Sequence, residues 1–446
     1  MMEEPKLKVG IVSGTEIKFS LRGDFELNGK VVTGDHVARI DDGKVVIDGV
    51  KSDNYLFTPL TESSLFELHD VIIGVDFHWE RRETQVFKGS LSLIVEGDKL
   101  TAVNILPLED YLCSVISSEM SATASLELLK AHAVISRSWL LAQIEKRERL
   151  AGQHGDAHDT CCGDECGCHA DDNELIKWFD REDHTNFDVC ADDHCQRYQG
   201  VTRQTTPTVA EAVAATRGEV LMYQGELCDA RFSKCCGGVF ERFGTCWESV
   251  DHHYLQPRRD GQDVNDFPDL SIERNAEEWI LSQPAAYCNT DSAEILGQVL
   301  NNYDQETKDF YRWKVTYTQK EISELIHSRL GIDFGQIINL VPVSRGTSGR
   351  LWKLEVVGTK RTLVIGKELI IRRALSKSHL YSSAFVVERT DIDADGIPGS
   401  FTLHGAGWGH GVGLCQIGAA VMGANGFGYH EILSHYFIDS ECTRLY

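Results

Sequence analysis

LPLEDYLCSVISSEMSATASLELLKAHAVISRSWLLAQIEKRER (106–149) is the stretch in which the chain changes its pattern. Upstream of it, VGIVSG, EIKFSL, KVVIDG and GSLSLIVEG are short β-rich runs punctuated by Gly, Asp and Asn, the residues that supply tight turns. Leu106-Pro107-Leu108-Glu109-Asp110-Tyr111 breaks that pattern. Leu126, Leu129, Ala133, Ser136 and Leu140 then recur at helical spacing, which predicts a helix of about 25 residues over 125–149. The EKRER run at its end reads as a solvated helix terminus.

Downstream, helices are expected at 208–216, 320–330 and 429–436, strands at LWKLEVVG and RTLVIG, and a surface loop at 251–275. Strands and helices mix without regular βαβ alternation, so the expected class is α+β. We divide the chain into a β-rich N-terminal region, 1–95, and a mixed helix/strand core, 96–446, with a Cys/His-rich metal-binding loop at about 151–200.

The 446 residues carry 44 basic and 68 acidic side chains, a net charge of −24. That balance argues against nucleic acid, whose phosphates need a basic surface. No apolar run is long enough for a membrane span. The start, Met-Met-Glu-Glu-Pro-Lys-Leu-Lys, runs into a strand-like segment without a basic-then-apolar leader, so no signal peptide is expected and the compartment stays open.

Three segments can carry chemistry. Glu119, in Ser117-Ser118-Glu119-Met120, precedes the long helix, on which Lys130 and Arg137 lie seven residues apart and on one side. A carboxylate near two cations suits an anionic sugar polymer, and it equally suits plain surface. The second is HGAGWGHGVG (404–413), where every odd position from 405 is glycine. One face would be bare, giving either close approach of a ligand flanked by Trp408 and His410, or a tightly packed strand or bulged turn. The third is His184-x5-Cys190-x3-His194-Cys195, two thiols and two imidazoles that suit a closed tetrahedral zinc site; buried thiols are the plain alternative. Upstream, His154, His158, Cys161, Cys162, Cys166, Cys168 and His169 could take a second metal, less regularly spaced.

Taken in this order, LPLEDYLCSVISSEM (106–120), LELLKAHAVISRSW (126–139) and GAGWGHGVGLCQIGAAVMGANG (405–426) resemble the stage II sporulation protein D family, also called SpoIID/LytB or amidase-enhancer proteins. HTNFDVCADDHCQRYQG (184–200), ARFSKCCGGVFE (230–241) and EILSHYF support the likeness. The resemblance implies a peptidoglycan lytic transglycosylase that cleaves the MurNAc–GlcNAc bond with 1,6-anhydroMurNAc formation and Glu119 as its acid/base. It also implies a structural zinc near the active site, on His184, Cys190, His194 and Cys195. Lys130, Arg137, Tyr198, Trp408, His410 and Gln416 become candidate substrate residues. The implied partners are glycan strands and a cell-wall amidase, because the alternative is a non-catalytic amidase enhancer that binds wall.

A single carboxyl that first gives and then takes a proton must titrate near working pH, an upward shift of about two units, roughly 2.7 kcal/mol. A helix N-terminus directly after Glu119, together with Lys130, would oppose that shift, so apolar walls from Leu112, Met120 or Trp408 are expected. Two features depart from the family pattern besides the leader: the Cys-rich stretch 151–183, and KCCGG (234–238), which places two adjacent thiols before a glycine pair.

Overall fold

Three two-residue connections set the N-terminal sheet. Asn28-Gly29, Asp42-Gly43 and Asp48-Gly49 each carry positive φ at both positions (52° and 76°, 53° and 69°, 50° and 78°). That is the backbone of a type I′ hairpin turn, whose twist matches that of paired strands. Strands Glu16–Leu27, Lys30–Asp41, Lys44–Ile47 and Val50–Ser52 therefore follow one another as an antiparallel meander.

In the computed structural model, the described residues are 3–73, 81–121, 123–153, 166–170, 173–179, 184–192, 195–203, 207–299 and 309–446. The chain divides into two compact units. One comprises Met1–Gln153, Arg181–Val220 and Cys442–Tyr446; the other comprises His154–Asp180 and Leu221–Glu441. The strands before residue 95 and the long helix after it share the first unit.

The first unit is built on an 11-stranded sheet. Alternation in Glu16–Leu27 sends Ile17, Phe19 and Leu21 inward, where they join Phe25, Phe57, Phe66, Phe87, Leu91 and Leu93. Strand Lys99–Pro107 leads directly into helix α1 (Leu108–Glu119), with Pro107 extended at the N-cap and Glu109 and Asp110 in the first turn. Leu108, Tyr111, Leu112, Val115 and Ile116 are buried at helical spacing. Helix α2 (Leu126–Gln153) follows; every residue from 131 to 140 is buried, as the core helix of a helical layer should be. Helix α3 (Pro207–Ala215) packs on both.

The second unit contains a five-stranded sheet, in the order Cys166–Ala170, Glu174–Phe179, Thr362–Gly366, Leu351–Gly358 and Ile337–Arg345. A three-stranded sheet orders Arg312–Thr318, Ser400–Ala406 and Phe385–Thr390. Helix Gln319–Leu330 is bounded by a Thr318/Glu321 capping box and by Gly331 in the left-handed region. Its Ile322 and Ile326 pack with Trp313, Leu354, Ile365, Phe385 and Phe401. Helix Tyr429–Tyr436 lies where its periodicity places it. The architecture is α+β with a β-rich N-terminal region. The expected loop at 251–275 has a single 3-10 turn at His253–Leu255 before helix Glu273–Leu281 begins.

Candidate functional site

Glu119 is the last residue of α1, and Met120 leaves the helix in an extended conformation. Its carboxylate thus sits at the C-terminal end of a helix, where unsatisfied carbonyls concentrate partial negative charge. This corrects the expectation of a helix N-terminus directly after it, since α2 starts only at Leu126. The residue is half-buried, and its Oε1 accepts the backbone N–H of Arg197 at 3.3 Å.

That amide belongs to a segment locked onto α1 and α2. Tyr111 donates its hydroxyl to Gln196 Oε1 (3.3 Å), and Gln196 Nε2 donates to the Ser136 carbonyl (3.1 Å). The Gln199 N–H reaches Ser114 Oγ, and the buried Tyr198 hydroxyl donates to Asn104 Oδ1 at 2.6 Å. Burial pushes the Tyr111 phenol well above its ordinary range and keeps it a donor.

Just before this segment lie His184, Cys190 and Cys195, whose ligand atoms are all within 4.8 Å of one another. Cys195 Sγ is 3.6 Å from His184 Nε2, and the His184 ring stacks on Phe187. Strand Val189–Cys190 pairs parallel to Val9 and Gly10, while Arg147 near the end of α2 binds Asp188 Oδ1 at 2.6 Å. Gly10 makes room for the arrangement, because a Cβ there would stand 2.6 Å from the Phe187 ring. Two sulfurs and one imidazole nitrogen at this separation can hold a metal ion. His194, the fourth expected ligand, lies outside the described residues, as do 154–165 of the upstream Cys/His group; the backbone of Cys166–Ala170 forms a strand.

The two cations of α2 differ in their surroundings. Lys130 is partly exposed and bonds Glu127 Oε1 at 2.7 Å. Arg137 is fully buried: Nε and Nη2 reach the two oxygens of Glu109 at 3.0 and 2.7 Å, and Nη1 donates to the Glu219 carbonyl at 2.8 Å. Glu109 also accepts from the Gly218 N–H and the Tyr446 hydroxyl. Arg137 thereby joins α1, α2, the turn after α3 and the C-terminal residues, and offers no surface group to a glycan.

Trp408, His410 and Gln416 lie in the second unit. The glycine run is an extended strand only as far as Ala406; Gly407, Gly409, Gly411 and Gly413 then all take positive φ. The face they leave bare is filled from within. Arg350, fully buried, donates to the carbonyls of Gly409 (3.0 Å) and Cys236 (2.9 Å), and a Cβ on Gly411 would meet its guanidinium carbon at 2.5 Å. Close packing, not an approaching ligand, therefore accounts for these glycines as placed here. Trp408 packs between Tyr381 and Phe310. His410 stands edge-on to Trp247, with Nδ1 accepting from the Val412 N–H at 3.1 Å, and Gln416 is buried as the first residue of helix Gln416–Ala424.

Sequence reasoning missed Arg350 and the buried Glu241, whose carboxylate accepts from Thr245, Thr347 and Ser348 side chains and from neighbouring amides. Glu241 closes the ARFSKCCGGVFE stretch, but nothing there marks it as a buried anchor, and Arg350 stands in no recognisable spacing.

Residues 96–223 match the family described as "Stage II sporulation protein", and 241–413 match a domain of unknown function. Among relatives, an uncharacterized protein of Brachyspira hyodysenteriae is 24% identical over 378 residues, 84% of this chain and 75% of that protein. Stage II sporulation protein D of Bacillus amyloliquefaciens is 20% identical over 336 residues, covering 75% of this chain and 74% of its own length. The amidase enhancer of Bacillus subtilis is 26% identical over 240 residues, 52% of this chain but only 32% of the enhancer. The matched stretch 96–223 includes the motif carrying Glu119, in line with the resemblance read from the motifs.

Proposed function

We propose, from that domain and from the setting of Glu119, that the protein cleaves peptidoglycan glycan strands as a lytic transglycosylase. The observation that carries the reading is the hydrogen bond from the Arg197 amide to Glu119 Oε1, which ties the carboxylate to the segment following the His184/Cys190/Cys195 cluster. In the proposed reaction the carboxylic acid protonates the oxygen between MurNAc and GlcNAc as the glycosidic bond breaks. The resulting carboxylate takes the proton of the MurNAc C6 hydroxyl, whose oxygen closes onto C1 as a 1,6-anhydro ring. Protein and proton count are restored without a water. Glu119 is half-buried at the last residue of α1, within reach of the segment that follows the His184/Cys190/Cys195 cluster.

His184, Cys190 and Cys195, with His194, would hold a zinc ion. Its contribution would be structural, a cross-link that fixes the 184–199 segment and with it the Arg197 amide. Lys130 is the substrate-facing cation of this reading, and a cell-wall amidase is a candidate partner.

The name of the Bacillus subtilis relative supports a second reading, in which the protein binds wall and stimulates an amidase without cutting glycan. Incubation with denuded glycan chains separates the two. Anhydro-muropeptides should form with the native chain and vanish with Glu119→Gln while glycan binding persists. Turnover retained by Glu119→Gln overturns the assignment, and binding without product from the native chain favours the enhancer reading.

A further inference from the structure

The second unit gathers a different set of ligand-type side chains, from four places far apart in sequence. Cys236, Asp260, Cys288 and Cys415 are all buried, and their ligand atoms lie within 4.8 Å of one another. Cys236 Sγ is 3.5 Å from Cys288 Sγ and 3.5 Å from Asp260 Oδ2. With zinc–sulfur bonds of about 2.3 Å, the edge of a tetrahedral site is roughly 3.8 Å, so these separations already approach what a bound ion requires.

Backbone and side-chain donors converge on the cluster. The Gly238 and Cys236 N–H groups point at Cys236 Sγ (3.4 Å) and Cys415 Sγ (3.3 Å), so both sulfurs act as acceptors. Asp260 accepts from the Tyr436 hydroxyl on Oδ1 (3.0 Å) and from the Cys288 N–H on Oδ2 (3.0 Å). Such outer partners orient ligands and tune them. Packing around the carboxylate is close enough that a Cβ on Gly418 would meet Asp260 Oδ2 at 2.5 Å. His435 Nε2 lies 3.6 Å from Asp260 Oδ1 on the outer side of the cluster. Three sulfurs and a carboxylate oxygen converging in a buried volume are the donor set of a tetrahedral thiophilic cation.

We propose that Cys236, Asp260, Cys288 and Cys415 form a structural site for a thiophilic divalent cation, zinc by its tetrahedral Cys3Asp donor set. Buried cysteines are often simple core residues. Here, however, three of them converge on a carboxylate, and two of the four ligands, Asp260 and Cys288, come from the loops on either side of helix Glu273–Leu281. A metal would staple those loops to the glycine-rich segment and to KCCGG. With four protein ligands the site has no open position for a catalytic water, so its role is cohesion. Cys235, beside it, shares hydrogen bonds with Cys288 and Cys415.

The test uses the full chain with the first cluster disabled by Cys190→Ser and Cys195→Ser. One zinc per chain should remain by elemental analysis, and cobalt exchanged into it should give an intense thiolate-to-cobalt absorption band. Adding Cys288→Ser should remove both, whereas adding Asp260→Cys should keep the metal and strengthen the band. A folded double variant without metal, an undiminished cobalt band after Cys288→Ser, or a Cys236–Cys288 disulfide in anaerobically prepared protein would each overturn the proposal.

Discussion

Replacing Arg137 with Ala tests whether this cation holds the first unit together. The guanidinium is fully buried and makes paired bonds to Glu109 at 3.0 and 2.7 Å, plus one to the Glu219 carbonyl. Removing it leaves the Glu109 carboxylate buried beside the Gly218 amide and the Tyr446 hydroxyl without its cation. Breaking a buried pair in this way costs about 3–5 kcal/mol. Because the chain has two units, one melting temperature would blur the effect, so the reporter should be local. Native-state hydrogen exchange in the buried part of α2, residues 131–140, should quicken by roughly 150- to 5,000-fold, the same free energy expressed as an opening constant. Pairing Arg137→Met with Glu109→Leu should restore most of the protection, since a well-packed apolar pair is often as stable as the ion pair it replaces. Exchange within threefold of the native chain after Arg137→Ala would refute the reasoning.

Gly411→Ala puts a Cβ 2.5 Å from the Arg350 guanidinium at a φ of 76°. Strain and overpacking together should destabilise the second unit by about 2–4 kcal/mol, read as faster exchange in 400–418; a change under about 0.5 kcal/mol would contradict the packing described. Burial, aided by Arg231, Arg350 and Arg372, holds the His410 imidazole well below its ordinary range. The unfolded chain therefore takes up a proton that the folded one refuses. The stability His410 contributes is complete above about pH 6.5 and is lost below it, by up to about 1.4 kcal/mol per pH unit until the folded pKa is reached. A His410→Gln chain should show a shallower acid dependence in urea unfolding, and an unchanged slope would remove His410 as the cause. Cys195→Ser, or a strong chelator, should loosen 184–199 and expose the Arg197 amide to exchange while leaving 131–140 of α2 protected; no change in 184–199 would argue against a metal there.

The local elements were legible because each is decided by neighbours in sequence. Asn28-Gly29, Asp42-Gly43 and Asp48-Gly49 enforce hairpins through backbone sterics alone, and the spacing of Leu126, Leu129, Ala133 and Leu140 marks a helix whatever it packs against. The HTNFDVCADDHC segment was readable as a ligand set for the same reason: its members lie within one loop. Periodicity also put Lys130 and Arg137 on one side of α2, but it could not say that Glu109, 28 residues before Arg137, would meet it in the core. The glycine run admitted two readings, and only Arg350, more than fifty residues upstream, chooses between them by filling the bare face.

What the amino-acid order determined by itself was the α+β class, the turns, the helices near 126–153, 207–215, 319–330 and 429–436, and the two motif segments carrying Glu119 and the His/Cys loop. What only the tertiary structure decided was partnership. Arg137 changes from a surface cation to a buried tie, Glu119 comes to the negative end of a helix, and Cys236, Asp260, Cys288 and Cys415 converge from positions up to 179 residues apart. Backbone preferences act over a few residues, whereas a buried charge or a ligand cluster exists only once distant segments have displaced water from the same small volume.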